Sequence, residues 1–183
     1  MRLRTLPFWL ILCLAPIPAS ADGFVTPYVG YDFGGDAGSC PSLTTCESKK
    51  TNVGVSLGYM GAGILGIEED LGYARNFFGT NALSSDNSVL TIMTNLIVGV
   101  PLGPIRPYLS AGGGLVRASA ESSSSGFGYD LGGGVMLFLS SHAGLRGDYR
   151  YFRSTHDISI AGLSINGTKL NFSRASAGLV FRF

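Results

Sequence analysis

The sequence predicts an all-β fold, a closed antiparallel eight-stranded transmembrane β-barrel, from three observations. Segments in which apolar and polar residues alternate recur along the chain, and the connections between them alternate between long and short. Hydrophobic residues make up 45% of the chain and charged residues only 14%, whereas glycine occurs 27 times. This composition is unusual for a water-soluble exported domain.

The N-terminal residues have the features of a secretory signal peptide. A basic start, MRLR, precedes an apolar run over residues 6–18, which ends in the small-x-small site ASA at 19–21. The run is short for a membrane helix, which needs about 20 apolar residues, and prolines interrupt it. We therefore expect cleavage of residues 1–21, which leaves residues 22–183 as one outer-membrane β-barrel domain.

Eight segments have the period of two that is typical of a strand with two unlike faces. In the second segment, residues 53, 55, 57 and 59 are apolar or aromatic, and residues 52, 54, 56 and 58 are small or polar. The predicted strands cover residues 24–34, 51–60, 64–76, 88–100, 107–117, 126–138, 143–153 and 174–183.

The lengths of the connections indicate how the barrel is oriented. Outer-membrane barrels have short periplasmic turns and longer extracellular loops. The observed order therefore predicts periplasmic termini and four extracellular loops. Long connections fall near 35–50, 77–87, 118–125 and 154–167, and short ones near 61–63, 101–106 and 139–142.

The composition of the two strand faces predicts which one meets lipid. A soluble barrel would turn its apolar face inward. Here the polar face is rich in glycine and in charges of both signs, which suits a narrow, filled lumen, so we expect the apolar face to point outward. Aromatic residues near strand ends then predict interface girdles, formed by Tyr28, Tyr59, Tyr73, Phe77, Phe78, Tyr108, Tyr151, Phe181 and Phe183.

Strand parity places eight charged residues on the inward face, with nearly balanced signs. The lumen of an eight-stranded barrel is just wide enough for side chains, so these groups should meet as ion pairs. Arginine suits this role because its planar guanidinium binds carboxylates bidentately. A proton or ion path is the alternative role. The predicted network consists of Glu68, Asp70, Asp130, Arg146, Asp148, Arg150, Arg174 and Arg182.

Glu69 does not fit this pattern. Strict alternation sends it to the lipid face between Ile67 and Leu71, where a carboxylate is unfavourable. Either a β-bulge shifts the register, or the residue lies near the membrane interface. The sequence leaves both alternatives open.

The mature chain keeps two cysteines, Cys40 and Cys46, in the first long connection. Two cysteines in an exported protein most often form a disulfide. We expect no metal site, because no histidine is nearby and the spacing matches no zinc pattern. We also expect no cofactor, because the glycine triplets at 112–114 and 132–134 lie inside predicted strands with no helix after them.

Several segments resemble small outer-membrane β-barrels of the OmpA/OmpX-like type. They are PYVGYDFGG at 27–35, GIEEDLGYARNFFG at 66–79, NLIVGVPLGPIRPYLSAGGG at 95–114, GLRGDYRYF at 144–152 and the terminal GLVFRF. The resemblance covers nearly all of the mature chain. It implies a place in the bacterial outer membrane, among lipid and lipopolysaccharide. It also implies that the barrel-assembly machinery recognises the terminal Phe183 during insertion.

Three functions are compatible with such a barrel. The first, which we predict, is a non-enzymatic structural or interaction protein whose loops contact an extracellular ligand. The loops include the first one, with the predicted disulfide, and the Ser-rich third one. We expect the protein to be a monomer, and the net charge of +1 argues against a nucleic-acid partner.

The other two functions are an enzyme and a channel. A lipid A-modifying enzyme is suggested by Ser154, Thr155, His156 and Asp157 at the outer end of the seventh strand, although residues adjacent in sequence rarely form a catalytic triad. A narrow porin-like channel is disfavoured because side chains fill the interior of an eight-stranded barrel.

Overall fold

A computed structural model describes residues 21–34, 49–77, 88–119, 123–157 and 169–183. Eight antiparallel strands form a closed barrel in which each strand pairs with its neighbours in sequence and the last strand pairs with the first. No helix in the described ranges is long and apolar enough to cross a membrane. The strands are β1 (Ala21–Phe33), β2 (Lys49–Gly61), β3 (Leu65–Arg75), β4 (Ser88–Gly99), β5 (Ile105–Ser119), β6 (Ser123–Phe138), β7 (Ala143–Asp157) and β8 (Lys169–Arg182).

The predicted eight-stranded barrel is confirmed, but the third long connection is not where the sequence placed it. β5 continues to Ser119 and β6 begins at Ser123, so Ser123, Ser124 and Ser125 pair with the end of β5. The prediction of a loop over 118–125 is therefore wrong. Polar composition predicted a loop, but the backbone ladder between adjacent antiparallel strands can continue beyond the apolar band whatever the side chains are.

The strand faces point as predicted. Leu57, Leu131 and Leu179 are exposed on the outer wall, at 49%, 62% and 50% of their surface, whereas Arg146 and Arg150 are buried inside. A soluble β protein would have the opposite arrangement. The outer wall is therefore apolar and the interior holds the charges.

Inward-facing apolar side chains form two clusters, one near each end of the barrel. The cluster near the long connections, here called the extracellular plug, consists of Ala74, Phe77, Val89, Met93, Val116, Ala118, Phe152, Leu170 and Phe172. The periplasmic plug, near the start of β1 and the end of β8, consists of Phe24, Met60, Ile97, Tyr108, Met136 and Val180. The alternation pattern predicts neither plug, because it places apolar side chains only on the outer face.

Three of the aromatic residues predicted at the membrane interface lie inside the barrel instead. Tyr28, Phe77 and Tyr108 are buried in the interior. Gly54 and Gly134 make room for the two tyrosines, since a Cβ atom at either glycine would collide with the facing phenol ring. Phe78 lies outside the described residues. The prediction of an exposed position holds for Tyr73, Tyr151, Phe181 and Phe183.

Glu69 lies on the outer face, and the register explains why. β3 pairs with β2 and with β4 without any shift, so no bulge turns Glu69 inward. The residue is near the middle of β3, between the exposed Ile67 and the partly exposed Leu71. The alternative of a β-bulge is therefore wrong, and the side chain stays on the outer face.

Candidate functional site

The interior between the two plugs contains a layer of ion pairs centred on Glu68. This carboxylate, on β3, accepts hydrogen bonds from two arginines of β7 on the other side of the barrel. Arg146 Nη1 lies 2.5 Å from Glu68 Oε2, and Arg150 Nη2 contacts Glu68 Oε1. All three side chains are at least 97% buried, so the two arginines fix Glu68 in a bridge across the lumen.

Asp148 lies between the two arginines on the same face of β7, because residues two apart on a strand point the same way. Its carboxylate accepts a hydrogen bond from Arg146 Nη2 at 3.0 Å and another from Arg150 Nε at 2.8 Å. The hydroxyl of Tyr108 also donates to Asp148, and Arg146 Nε donates to the Tyr108 oxygen at 2.6 Å. Tyr108 therefore joins the periplasmic plug to the charged layer.

Asp130 completes this first cluster from β6. Arg150 Nη1 lies 3.4 Å from Asp130 Oδ2, while the other carboxylate oxygen has no hydrogen-bond partner among the described residues. Arg150 therefore contacts three carboxylates, those of Glu68, Asp130 and Asp148. It is the most connected side chain of the layer in the described part of the chain.

A second cluster surrounds Arg174 of β8. Arg174 Nε donates to Asp32 Oδ1 at 2.9 Å, and its Nη1 lies 3.4 Å from Asp70 Oδ1. Ser56 donates to the other oxygen of Asp70 at 2.8 Å. The guanidinium also lies 4.6 Å from the ring centre of Phe152, a cation–π contact with the extracellular plug. Arg174 is thus held by charge on one side and by an aromatic ring on the other.

A cavity of about 10 Å³ separates the two clusters. It is lined by Asp70 and Arg174 from the second cluster and by Arg146, Asp148 and Arg150 from the first. A cavity of this size is just large enough for one water molecule.

Seven of the eight residues predicted for the network meet in these two clusters, and Arg182 does not. Arg182 Nη1 pairs with Asp22 Oδ2 at 3.4 Å near the periplasmic end, and its side chain is 25% exposed. Arg106 shares the same carboxylate at 3.7 Å. This rim cluster is separated from the central layer by the periplasmic plug.

Besides Ser56, three members of the layer lie outside the predicted network. Asp32 has the parity of an inward residue, but it is near the end of its strand and was not included in the predicted network. Tyr28 and Tyr108 were assigned to the membrane interface, although Tyr28 also has inward parity. The useful signal was parity, which outweighs the preference of aromatic residues for the interface.

The other candidate residues are distributed as follows. Ser154 is buried in the interior, whereas the adjacent Thr155 is exposed and donates to the Phe127 carbonyl at 2.7 Å. Among the described residues no group of three His, Cys, Asp or Glu side chains could hold a metal ion. Cys40, Cys46 and the signal peptide apart from Ala21 lie outside the described residues, so the disulfide and the cleavage remain predictions.

A closed eight-stranded barrel with an apolar outer wall and an ion-paired lumen defines an integral outer-membrane β-barrel protein. The chain belongs to the family described by the outer membrane protein beta-barrel domain, whose model matches residues 8–183. Its location is the bacterial outer membrane.

Solved structures of small outer-membrane barrels have the same fold. Neisserial surface protein A matches with a TM-score of 0.62 and 20% identity, over 90% of this chain and 98% of that chain. OprG from Pseudomonas aeruginosa matches with a TM-score of 0.58 and 17% identity, over 90% and 96% of the two chains. Ail, the attachment invasion locus protein of Yersinia pestis, matches with a TM-score of 0.51 and 14% identity, over 90% and 99%. No curated protein sequence matches this chain.

Proposed function

We propose that this protein is a non-enzymatic structural and interaction barrel of the outer membrane with a closed lumen. The observation that carries the proposal is the order of layers in the interior: an apolar plug, the ion-pair clusters and a second apolar plug. An aqueous channel needs connected polar space, and apolar constrictions exclude water. The ion pairs then have a structural role, which is to satisfy the charges of facing strands.

The proposal predicts no steady ion conductance. Purified protein folded into planar lipid bilayers should leave the membrane current at its baseline, because side chains occupy the cross-section at three levels. A large porin added to the same bilayers serves as the positive control. Stable, stepwise conductance from this protein alone would contradict the closed lumen and favour the narrow channel.

The position of Ser154 supports a non-enzymatic role over lipid A modification. A nucleophilic serine would need to reach an acyl ester in the lipid outside the barrel. Ser154 is instead 98% buried in the interior, behind the barrel wall.

For the interaction role, we infer that the membrane partner is lipopolysaccharide, bound at the extracellular rim. Arg75, Arg117 and Arg153 are exposed at or near the extracellular ends of β3, β5 and β7. Tyr73 and Tyr151, two residues before Arg75 and Arg153 on the same outer face, are also exposed, as expected of side chains at the headgroup level. The phosphates of lipid A lie at that level, where arginine can bind them bidentately.

Replacing all three rim arginines with glutamine is expected to weaken binding to lipopolysaccharide roughly a hundredfold, since each contributes about 1 kcal/mol beside an anionic membrane surface. Binding would be measured by a flotation assay. The refolded protein is mixed with lipopolysaccharide vesicles at a detergent concentration too low to solubilise them, and the fraction of protein that floats with the vesicles is determined. The triple lysine variant is the matched control and should retain most of the affinity, with the same loss at high salt. Equal affinity of the wild-type and glutamine proteins would reject this partner.

Two further partners remain proposals. The terminal Phe183 closes the barrel through backbone hydrogen bonds with Gly23 at 3.0 and 3.1 Å, and its side chain is 80% exposed. An aromatic end group that the fold does not bury supports recognition by the barrel-assembly machinery. The segments 35–48, 78–87 and 158–168 lie outside the described residues, and an extracellular ligand for these loops is proposed from their polar composition.

A further inference from the structure

Glu69 places a carboxyl group on the lipid-facing wall of the barrel. It is four residues from the periplasmic start of β3 at Leu65. A strand rises about 3.3 Å per residue and tilts by roughly 40°, so the residue is about 10 Å into an apolar band of about 25 Å. Its outward neighbours Leu57 and Ile67 are exposed at 49% and 48%. The carboxyl group therefore faces hydrocarbon rather than a headgroup.

The surroundings of Glu69 satisfy only part of its hydrogen-bonding capacity. The hydroxyl of Thr94, its register partner on β4, lies 2.8 Å from Oε1 and 3.0 Å from Oε2. A hydroxyl has one proton, so the two contacts share one hydrogen bond. No salt bridge reaches Glu69 within the described residues, whose outward arginines are at the rim.

A polar group on a hydrocarbon-facing wall is costly unless it finds a hydrogen-bond partner. A protonated carboxyl group has one donor and one acceptor, so it is complementary to a second copy of itself. Two such groups that face each other exchange two O–H···O hydrogen bonds. In hydrocarbon no water competes for these groups.

We propose that Glu69 is the centre of a two-fold contact between two copies of this chain in the membrane. In a two-fold contact the same surface faces itself, so the Glu69 carboxyl of one copy meets that of the other. The O–H of each carboxyl group donates a hydrogen bond to the carbonyl oxygen of the other. The surrounding surface consists of exposed apolar side chains of β2, β3 and β4, namely Leu57, Ile67 and Leu96.

An aromatic ring borders this contact on the side of β5. Thr94 pairs in register with Gly113, and a Cβ atom at Gly113 would lie 2.9 Å from the ring of Phe127. The Phe127 ring, which is 56% exposed on the outer wall, therefore covers the glycine. A contact between two copies differs from the monomer expected from the sequence, because strand alternation alone gives Glu69 no partner.

The test counts copies in phosphatidylcholine vesicles by single-molecule photobleaching of protein labelled with one dye at its N-terminus. The wild-type protein should bleach in two steps at densities where chance co-occupancy is negligible. Glu69→Leu should bleach in one step, with dimer association at least about tenfold weaker. Glu69→Gln should remain largely dimeric, because two amides can form the same pair of hydrogen bonds.

Leu131→Ala, on the outer face of β6, is the matched control and should remain dimeric. Heat-modifiable gel migration reports whether each variant is folded. If Glu69→Leu does not fold, the Glu69→Gln variant still tests the proposal. Single-step bleaching of the wild-type protein would overturn the proposal, including the case in which a lipid satisfies Glu69. An equal dimer fraction for the wild type and Glu69→Leu would overturn it as well.

Discussion

Replacing Arg150 with methionine is expected to lower the free energy of unfolding by about 3–5 kcal/mol, the cost of leaving buried charges without their partner. Arg150 is 98% buried and contacts Glu68, Asp130 and Asp148. Methionine fills much of the same volume, so the loss reports the missing charge rather than a cavity. Urea titration of the protein in lipid vesicles, followed by far-ultraviolet circular dichroism, measures it.

Arg117→Met provides the control, because Arg117 is exposed at the rim and pairs with no carboxylate among the described residues. Its effect should be below about 1 kcal/mol. The double variant Arg150→Met with Glu68→Met should recover part of the stability, since removing both members of a buried pair is less costly than removing one. A loss below about 1 kcal/mol for Arg150→Met alone would mean that the remaining groups compensate for the missing guanidinium.

The partners of Arg150 show how far sequence reasoning extends into this interior. Alternation along the strands was enough to place Glu68, Asp148 and Arg150 on the inward face. Alternation does not specify which of them meet, since Arg150 and Glu68 are 82 residues apart in sequence. They come together only because β8 closes on β1 and the closed barrel is narrow. Parity is local, whereas pairing depends on the shear and radius of the whole barrel.

The apolar plugs could not be recognised from composition for a related reason. Met93 and Met136 have inward parity, but an apolar side chain in an amphipathic strand is usually assigned to the lipid face. Their strand parity, rather than their residue type, makes them interior residues. The third connection was misjudged because a serine run is typical of loops, although Ser123 to Ser125 continue a backbone ladder. In both cases tertiary context overrides a local preference.

The same physical constraint applies to the ion-paired groups in the lumen and to Glu69 on the outer wall. A charged or polar group away from water must find a partner of matching chemistry. In the lumen, Glu68 meets that requirement within its own chain, through two arginines. On the outer wall, Glu69 is the next residue in the strand and has a single hydroxyl instead. Adjacent acids on opposite faces therefore have different expected roles, one in stability and the other in association.

Phe172→Ala is expected to destabilise the barrel by about 3–5 kcal/mol, as for other large aromatic residues removed from a packed core. Phe172 is 99% buried in the extracellular plug. Its ring stacks on Phe152 at a centroid distance of 4.9 Å and contacts the edge of Phe77 at 5.0 Å. The arginine of the second cluster, Arg174, also loses an aromatic neighbour. The same urea titration measures the effect.

Phe181→Ala is the matched control, because its ring is on the outer wall and lipid chains can occupy the space left by the substitution. Its loss should be clearly smaller than that of Phe172→Ala. Despite the destabilisation, Phe172→Ala should conduct no ions in planar bilayers, because the ion-pair clusters and the periplasmic plug remain below the enlarged space. Steady conductance in this variant would mean that the extracellular plug alone seals the lumen, and the charged layer would then be a hydrated path closed at one end.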